Sequence, residues 1–404
     1  VIMAWVERSG KRSWRVRYFK DDGSIGSVTG FTTKSSADNH AEDMESAQRK
    51  GIITEPEADT PISLADWAET WLESLDVDLR TEENYRSKLR RHILPRWGAF
   101  ALAEISNFKV HAWAKTLRQS GLADVTVSDT IKVLSLMLAD AADETDSTGR
   151  KLLAANPIRP HRRGRGRRTR RQPEKVWAMP KEVILIADQV AANYDDGGGL
   201  LILTAGWSGA RWGELIGLQR RNLHLDDGCF VVDPDIGTLH ESSSGKLWLG
   251  PPKTAESART VTLPEFLLPL LRQHLDTHDH PHVFVTPGGD LHRRSNFARR
   301  AMRPAADGNH TVREPRVRTR PIKPGLTFHG LRHSHKTWMI ADAMPEVAQS
   351  RRLGHKLPDK IQETYSHVAA EVEHRLMAAL HKRWTDAIAE LGDQETDSGW
   401  RTAA

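Results

Sequence analysis

Hydrophobic and polar positions change period several times along the chain. In Trp14-Arg15-Val16-Arg17-Tyr18 the period is two, with Trp14, Val16 and Tyr18 on one face and Arg15 and Arg17 on the other. Residues 3–8, 12–19 and 25–31 have strand composition, separated by the turn residues Ser9-Gly10-Lys11 and Asp21-Asp22-Gly23-Ser24. A helix is expected from an N-cap at Ser35 or Ser36 to Gly51. Three short strands and one helix bury little alone, so a basic sheet face points to phosphate contact, the plainer alternative being a solvated Arg face. Residues 55–60 form an acidic, Pro-containing linker.

From Ser63 the period turns helical. Leu64, Trp67, Trp71 and Leu75 recur at spacings of three and four, the inner stripe of a helix capped by Ser63, and these tryptophans read as core. A second helix is expected over about 81–92, ending before Pro95, and others over 107–119 and 125–143. Short connections between them make a helical domain. Beyond residue 179 the pattern is mixed. Helices are expected at 181–194 and 200–218, strands at 229–233, 246–249 and 259–263, and further helices at 265–276, 295–302, 330–342, 345–353 and 368–391. In the last of these, Val372, Leu376, Leu380, Trp384 and Ile388 make an every-fourth-residue apolar stripe. Residues 392–404 are expected to be disordered.

Composition narrows the class. A chain of 404 residues with 38% hydrophobic and 27% charged residues suits two to three folded domains. Its 58 Lys+Arg exceed 53 Asp+Glu by only +5, but the bases cluster. Arg159, Arg162, Arg163, Arg165, Arg167, Arg168, Arg170 and Arg171 fall within thirteen residues without an acid. Nothing there is apolar enough to fold, and an arm along a nucleic-acid backbone explains the run better than a solvated linker. Two further basic clusters lie at 293–303 and 313–323. The lone Cys229 excludes a disulfide framework and a Cys-cluster metal site. No apolar run approaches a membrane span and no signal-peptide pattern opens the chain, so a soluble intracellular protein is expected. There is no Gly-x4-Gly-Lys-Ser/Thr loop, no His-Glu-x-x-His helix and no carboxylate cluster beside the basic patches, so neither a metal nor another cofactor is expected.

A set of cations around a late tyrosine carries the chemistry. Arg211 sits in Ser208-Gly209-Ala210-Arg211-Trp212-Gly213-Glu214 and Lys253 in Pro251-Pro252-Lys253-Thr254, between two expected strands. His329 and Arg332 are three apart in Thr327-Phe328-His329-Gly330-Leu331-Arg332, on one side of a helix. His355 lies in Leu353-Gly354-His355-Lys356, and Tyr365 follows ten residues later. Taken in order, these motifs resemble the tyrosine recombinase (phage integrase) family, over about 179–370 and more loosely upstream. Lys253 is the least secure of them, because Lys246 lies in the same hairpin region; Ser257, Arg259 and Val261 after Lys253-Thr254 favour Lys253. His333 and His335 flank the motif as packing or backbone-contact residues.

The resemblance implies a multidomain, mainly α architecture. Residues 1–57 would be a small three-stranded sheet and helix that binds arm-type DNA, and 58–158 a helical core-binding domain. Residues 159–175 would be an Arg-rich linker, and 176–404 a mixed α+β catalytic domain. Arg211 and Arg332 would clamp the non-bridging oxygens of a phosphodiester and stabilise the transition state without metal. A tyrosine hydroxyl, with a pKa of about 10, is a poor nucleophile until neighbouring cations ease its ionisation. Tyr365 would then attack the phosphorus and form a 3′-phosphotyrosyl link that stores the bond energy, so no ATP is needed. Lys253 would protonate the leaving 5′-oxygen, His329 would assist proton transfer, His355 would hydrogen-bond the phosphate and Glu214 would hold the basic groups. Double-stranded DNA at core and arm-type sites, a homotetramer passing through a Holliday junction, and host DNA-bending and directionality factors are the implied partners, with no membrane. The implied location is the bacterial cytoplasm, on the nucleoid. Arg15, Arg17 and the arginines at 162, 163, 165, 167, 168, 170 and 171 would contact DNA. In the family the last helix often docks on a neighbouring protomer, the alternative to packing on its own domain. Two rivals remain: a type IB topoisomerase-like enzyme that acts without synapsis, and a catalytically idle DNA-binding regulator of the same fold.

Overall fold

Three antiparallel strands open the chain, β1 (Ala4–Gly10), β2 (Ser13–Phe19) and β3 (Ile25–Phe31), in the order β1-β2-β3. Alternation along β2 buries Val16 and Tyr18, and Val16 packs with Ala37 and Ala41 of α1 (Lys34–Arg49). On the other face Glu7 sits opposite Arg15 in register and accepts from it at 3.0 Å, with Arg17 at 3.4 Å. The helix begins two to three residues earlier than Ser35 or Ser36 would allow as caps. Thr33 supplies the capping hydroxyl, accepting from the Ser36 N–H at 3.2 Å, because its spacing of three reaches the free amide of the first turn. The computed structural model describes residues 4–10, 13–19, 25–31, 33–49, 62–146, 149–159, 174–356 and 368–392. The linker expected at 55–60, the arginines from 162 to 171, Tyr365 and the tail from 393 onward lie outside the described residues. The chain divides into two compact units, Val1–Gly166 and Arg167–Ala404, so the boundary falls in the Arg-rich run.

The rest of the first unit is helical. Ser63 caps α2 (Leu64–Ser74), its hydroxyl accepting from Asp66 N–H at 3.2 Å. The stripe Leu64, Trp67 and Trp71 is buried against Leu89, Ile93, Trp97, Leu134 and Met137. Burying two indoles requires partners for their N–H groups: Trp67 donates to the Met137 carbonyl at 2.9 Å and Trp71 to Asp140 at 2.6 Å. α5 (Asn107–Gln119) and α6 (Asp124–Asp143) complete the layer. One expectation fails: the helix does not stop before Pro95. α3 (Leu79–Lys88) runs through a π turn, Leu89–Ile93, into α4 (Leu94–Trp97), which contains Pro95. The Leu94 N–H reaches back to the Leu89 carbonyl, and this wider turn relieves the clash a proline ring makes with the preceding turn of an α-helix.

In the second unit α7 (Pro180–Asn193) and α8 (Asp196–Ser208) pack on each other, and a break separates α8 from α9 (Trp212–Ile216). The continuous helix expected over 200–218 is therefore two helices. Two small sheets follow. Strands β4 (Leu223–His224), β5 (Cys229–Val232) and β8 (Arg259–Thr262) form one in the order β4-β5-β8, and β6 (Thr238–Glu241) pairs with β7 (Leu247–Gly250) in the other. β4, two residues long, is too short for alternation to reveal it in sequence, and β6 was not expected although it is as long as β5, β7 and β8. Then come α10 (Leu267–Leu275), α11 (Arg294–Phe297), a π turn (Ala298–Met302), α12 (Arg303–Asp307), α13 (Phe328–Ala341), α14 (Glu346–Leu353) and α15 (Ala370–Leu391). The helix expected to end at Met302 continues through Pro304 by the same π-turn device seen at Pro95, the Arg303 N–H reaching back to Ala298. α15 packs on its own unit: Leu376, Leu380 and Trp384 are buried, Trp384 stacks on Phe266 at 4.0 Å, and Trp207 donates to the Leu380 carbonyl at 3.0 Å.

Candidate active site

The break after α8 places the first cation. Gly209 ends the helix with φ +67°, a conformation that costs residues with a Cβ. A Cβ there would also lie 2.6 Å from the His335 ring. Arg211, two residues on, starts α9. Its backbone N–H donates to Glu214 at 2.9 Å, and its Nη1 donates to Glu214 at 2.6 Å and to Ser257 Oγ at 3.0 Å. Nη2 donates to the Gly354 carbonyl at 3.0 Å, and a third of the side chain stays exposed.

The second cation comes from α13, capped by the Thr327 hydroxyl. Arg332 is buried; Nη1 donates to the Gly209 carbonyl at 2.8 Å, and Nη2 to the Leu353 carbonyl and to His355 Nε2 at 2.9 Å. The two guanidiniums thus hold consecutive carbonyls, Leu353 and Gly354, at the C-terminal end of α14. Gly354 has φ +60°, and a Cβ there would lie 2.9 Å from Arg259 Nη1. That crowding makes glycine the residue that lets α14, β8 and the arginines meet.

Charge balance explains the rest. Burial works to raise the Glu214 carboxyl, but Arg259, at 3.0 and 3.2 Å, and then Arg211 outweigh it and hold it at about 2. Arg259 also donates to the carbonyls of Arg352 and Ser257. Burial, reinforced by Arg211, lowers Arg332 to about 9, so it remains a cation at neutral pH. Burial and then Arg332 and Arg211 hold His355 at about 4. It is therefore neutral, and because a guanidinium only donates, Nε2 accepts and the proton resides on Nδ1. His329 lies at the rim, one turn before Arg332, with its ring 4.8 Å from His333. Partial burial, then His333 and Arg332, lower it to about 4. Arg211, Arg259 and Arg332 around a single carboxylate leave an excess of positive charge. An anion with two free oxygens would relieve it, as phosphate does.

Lys253 is exposed in the turn between β7 and β8. Its neighbour Thr254 places Oγ1 3.1 Å from Ser257 Oγ, which ties the turn to Arg211. The structure thus brings together Arg211, Glu214, Arg332 and His355, with His329 and the Lys253 turn beside them. In sequence, Ser257 and Arg259 entered only as the context of Lys253; Arg259 matters through its contact with the buried Glu214, distant in the chain, which local sequence does not signal. Arg352 was missed altogether. It is buried, donating to Thr262 Oγ1 at 2.8 Å and the Trp207 carbonyl at 3.2 Å, with Glu373 at 3.7 Å. His335 is fully buried and pushed well below the usual imidazole range by burial; Nδ1 contacts the Gly206 carbonyl at 3.0 Å, in keeping with a packing residue. Among the described residues no group of three His, Cys, Asp or Glu could hold a metal ion, and no helix is long and apolar enough to cross a membrane.

Residues 196–372 match the model of the phage integrase family. Among curated proteins, the chain is 25% identical over 320 residues to a putative prophage phiRv2 integrase of Mycobacterium tuberculosis, covering 78% of this chain and 77% of that protein. Among solved structures it is similar in fold to the Tn1549 transposon integrase in complex with transposon right end DNA. There the TM-score is 0.56 at 15% identity, over 78% of this chain and 99% of that one. It is likewise similar to a lambda integrase tetramer bound to a Holliday junction, with a TM-score of 0.52 at 16% identity over 90% and 94%.

Proposed function

We propose that the chain, whose residues 196–372 match the phage integrase family model, is a tyrosine recombinase: a site-specific DNA recombinase that integrates or excises a mobile element through a 3′-phosphotyrosyl intermediate. The observation that carries this is the convergence of Arg211 and Arg332 on the carbonyls of Leu353 and Gly354 around one carboxylate. Held there, the two guanidiniums clamp the non-bridging oxygens and take up the charge that develops as the phosphorus becomes five-coordinate. Glu214 and Arg259 keep that clamp in shape.

Tyr365 is the nucleophile. Its hydroxyl gives up a proton, its oxygen bonds to phosphorus, and the bond to the 5′-oxygen breaks as Lys253 protonates that oxygen. One phosphate ester replaces another, so neither ATP nor a redox partner enters. His329, neutral at the rim, assists proton transfer. His355 presents its Nδ1–H to the phosphate while Nε2 accepts from Arg332. Rejoining is the same step in reverse, with the 5′-hydroxyl of another strand as nucleophile.

On this reading four copies of the chain bring two duplexes together and exchange strands in pairs through a Holliday junction. The helical domain and the catalytic domain grip core DNA, the Arg-rich run lies along the backbone, and the N-terminal sheet takes arm-type DNA with Arg15 and Arg17. Host bending and directionality factors act on the complex, on the nucleoid of a bacterial cell. The test uses two labelled duplexes carrying candidate attachment sites from DNA flanking the protein's own gene, in EDTA and without ATP. Recombinant strands and Holliday junctions are expected only when both duplexes carry a site. Relaxation of supercoiled plasmid lacking any site, with no strand exchange, would instead identify a topoisomerase.

A further inference from the structure

Between α12 and α13 the chain runs from Gly308 to Leu326 without a helix or strand, yet it is tightly held. Asn309 is buried and organises the segment, Nδ2 donating to the Val317 carbonyl at 2.8 Å and Oδ1 accepting from Thr319 N–H at 2.9 Å. The Thr319 hydroxyl, also buried, donates to the Pro304 carbonyl at 2.7 Å. Arg318 ties the loop to itself, its Nη1 reaching the Val312 carbonyl at 2.9 Å and the Asn309 carbonyl at 3.2 Å. The far end is anchored by Lys323 on Glu182 at 3.2 Å and by Gly325 N–H on Asp307 at 2.6 Å.

With Arg318 and Lys323 engaged in holding the loop, Arg313, Arg316 and Arg320 remain exposed. Among the described residues none of these three forms an ion pair, and Glu314 is the only acid between 308 and 326. Exposed Arg299 and Arg300 lie alongside: the Arg300 carbonyl accepts from Asn193, and Arg316 Nη1 lies 3.4 Å from the carbonyl of Tyr194, the next residue of α7's end. The loop then runs directly into Thr327, the cap of the helix that carries His329 and Arg332. An exposed arginine cluster, on a hydrogen-bonded loop that leads into the helix of His329 and Arg332, suits phosphate oxygens, which the planar guanidinium fork matches.

We propose that the 308–326 loop is a second DNA-backbone contact of the catalytic unit, in which Arg313, Arg316 and Arg320 hold phosphates flanking the cleaved one. This inference rests on the recombinase reading, because it takes the duplex to be seated at Arg211 and Arg332. The loop positions DNA and reads no bases.

The experiment measures binding of the full-length protein to a core-site duplex across a range of NaCl concentrations. The wild type is compared with the triple variant Arg313→Gln, Arg316→Gln and Arg320→Gln, and with Arg313→Gln alone, which leaves the bonds that hold the loop untouched. Each engaged arginine should contribute about one to the slope of log K against log salt, so the triple variant loses about 2–3 and the single variant about 1. Covalent adduct formed at saturating protein should be unchanged. Slopes equal to the wild type's, with wild-type cleavage intact, overturn the loop's role and leave the recombinase reading standing. Wild-type protein that binds no duplex overturns both.

Discussion

Ser257 shows how much of the site depends on a side chain with no chemistry of its own. Its buried hydroxyl accepts from Arg211 at 3.0 Å and lies 3.1 Å from Thr254 Oγ1, beside Lys253. It is a positioning residue that links the Lys253 turn, which bears the proposed general acid, to Arg211, the proposed phosphate ligand. Ser257→Ala should slow single-turnover cleavage by about tenfold, the usual size of a lost hydrogen bond to a charged group, while duplex affinity stays near wild type. A rate equal to wild type, or an affinity loss that alone explains the defect, would show that Ser257 only packs. Arg211, Glu214, Arg332 and His355 were legible in the sequence because each sits in a recognisable local motif. Ser257, Arg259 and Arg352 were not, because their importance comes from burial against a distant acid or carbonyl, which local sequence does not encode.

Helix boundaries carry the same lesson at the next scale. From Leu200 to Trp207 the run is apolar but for Thr204 and buried on every side, so periodicity gives no reason to end the helix, and a single helix to Leu218 was expected. Gly209 ends it through a left-handed cap, and that break is what turns Arg211 toward Arg332. Gly209→Ala should cost roughly 1–2 kcal/mol from the backbone conformation alone, and more from contact with His335 and Leu353. The unfolding midpoint should fall, and cleavage should fall further than DNA affinity does. Unchanged stability would mean the position tolerates a right-handed conformation. Two prolines misled for a related reason: Pro95 and Pro304 each follow a π turn, which lets a helix pass a residue that normally ends it. By contrast α2 and α5 were legible nearly to the residue, whereas α13, expected from Gly330, begins two residues earlier at Phe328 under the Thr327 cap. The stripe of α15 was legible as well, but its partner was not. Only packing against Trp207 and Phe266 shows that it closes its own unit.

Across the whole molecule, charge is arranged rather than accumulated. A net +5 over 404 residues is modest, yet bases concentrate in the Arg-rich run, around Arg211 and Arg332, and on the 308–326 loop. The run falls where the two compact units meet in sequence. If the chain acts as the phage integrase match over residues 196–372 suggests, these patches have a common partner in the DNA backbone. The central claim is that the cation cluster serves a tyrosine that becomes covalently joined to DNA. It is tested most directly with nicked suicide duplexes carrying the candidate core site, in EDTA and without ATP, comparing the wild type with Tyr365→Phe. The wild type should yield a protein–DNA adduct that survives denaturation, with the DNA attached through its 3′-phosphate, and Tyr365→Phe should bind the duplex but yield none. An adduct of equal yield in Tyr365→Phe, or one that forms only when a divalent metal is supplied, would contradict it.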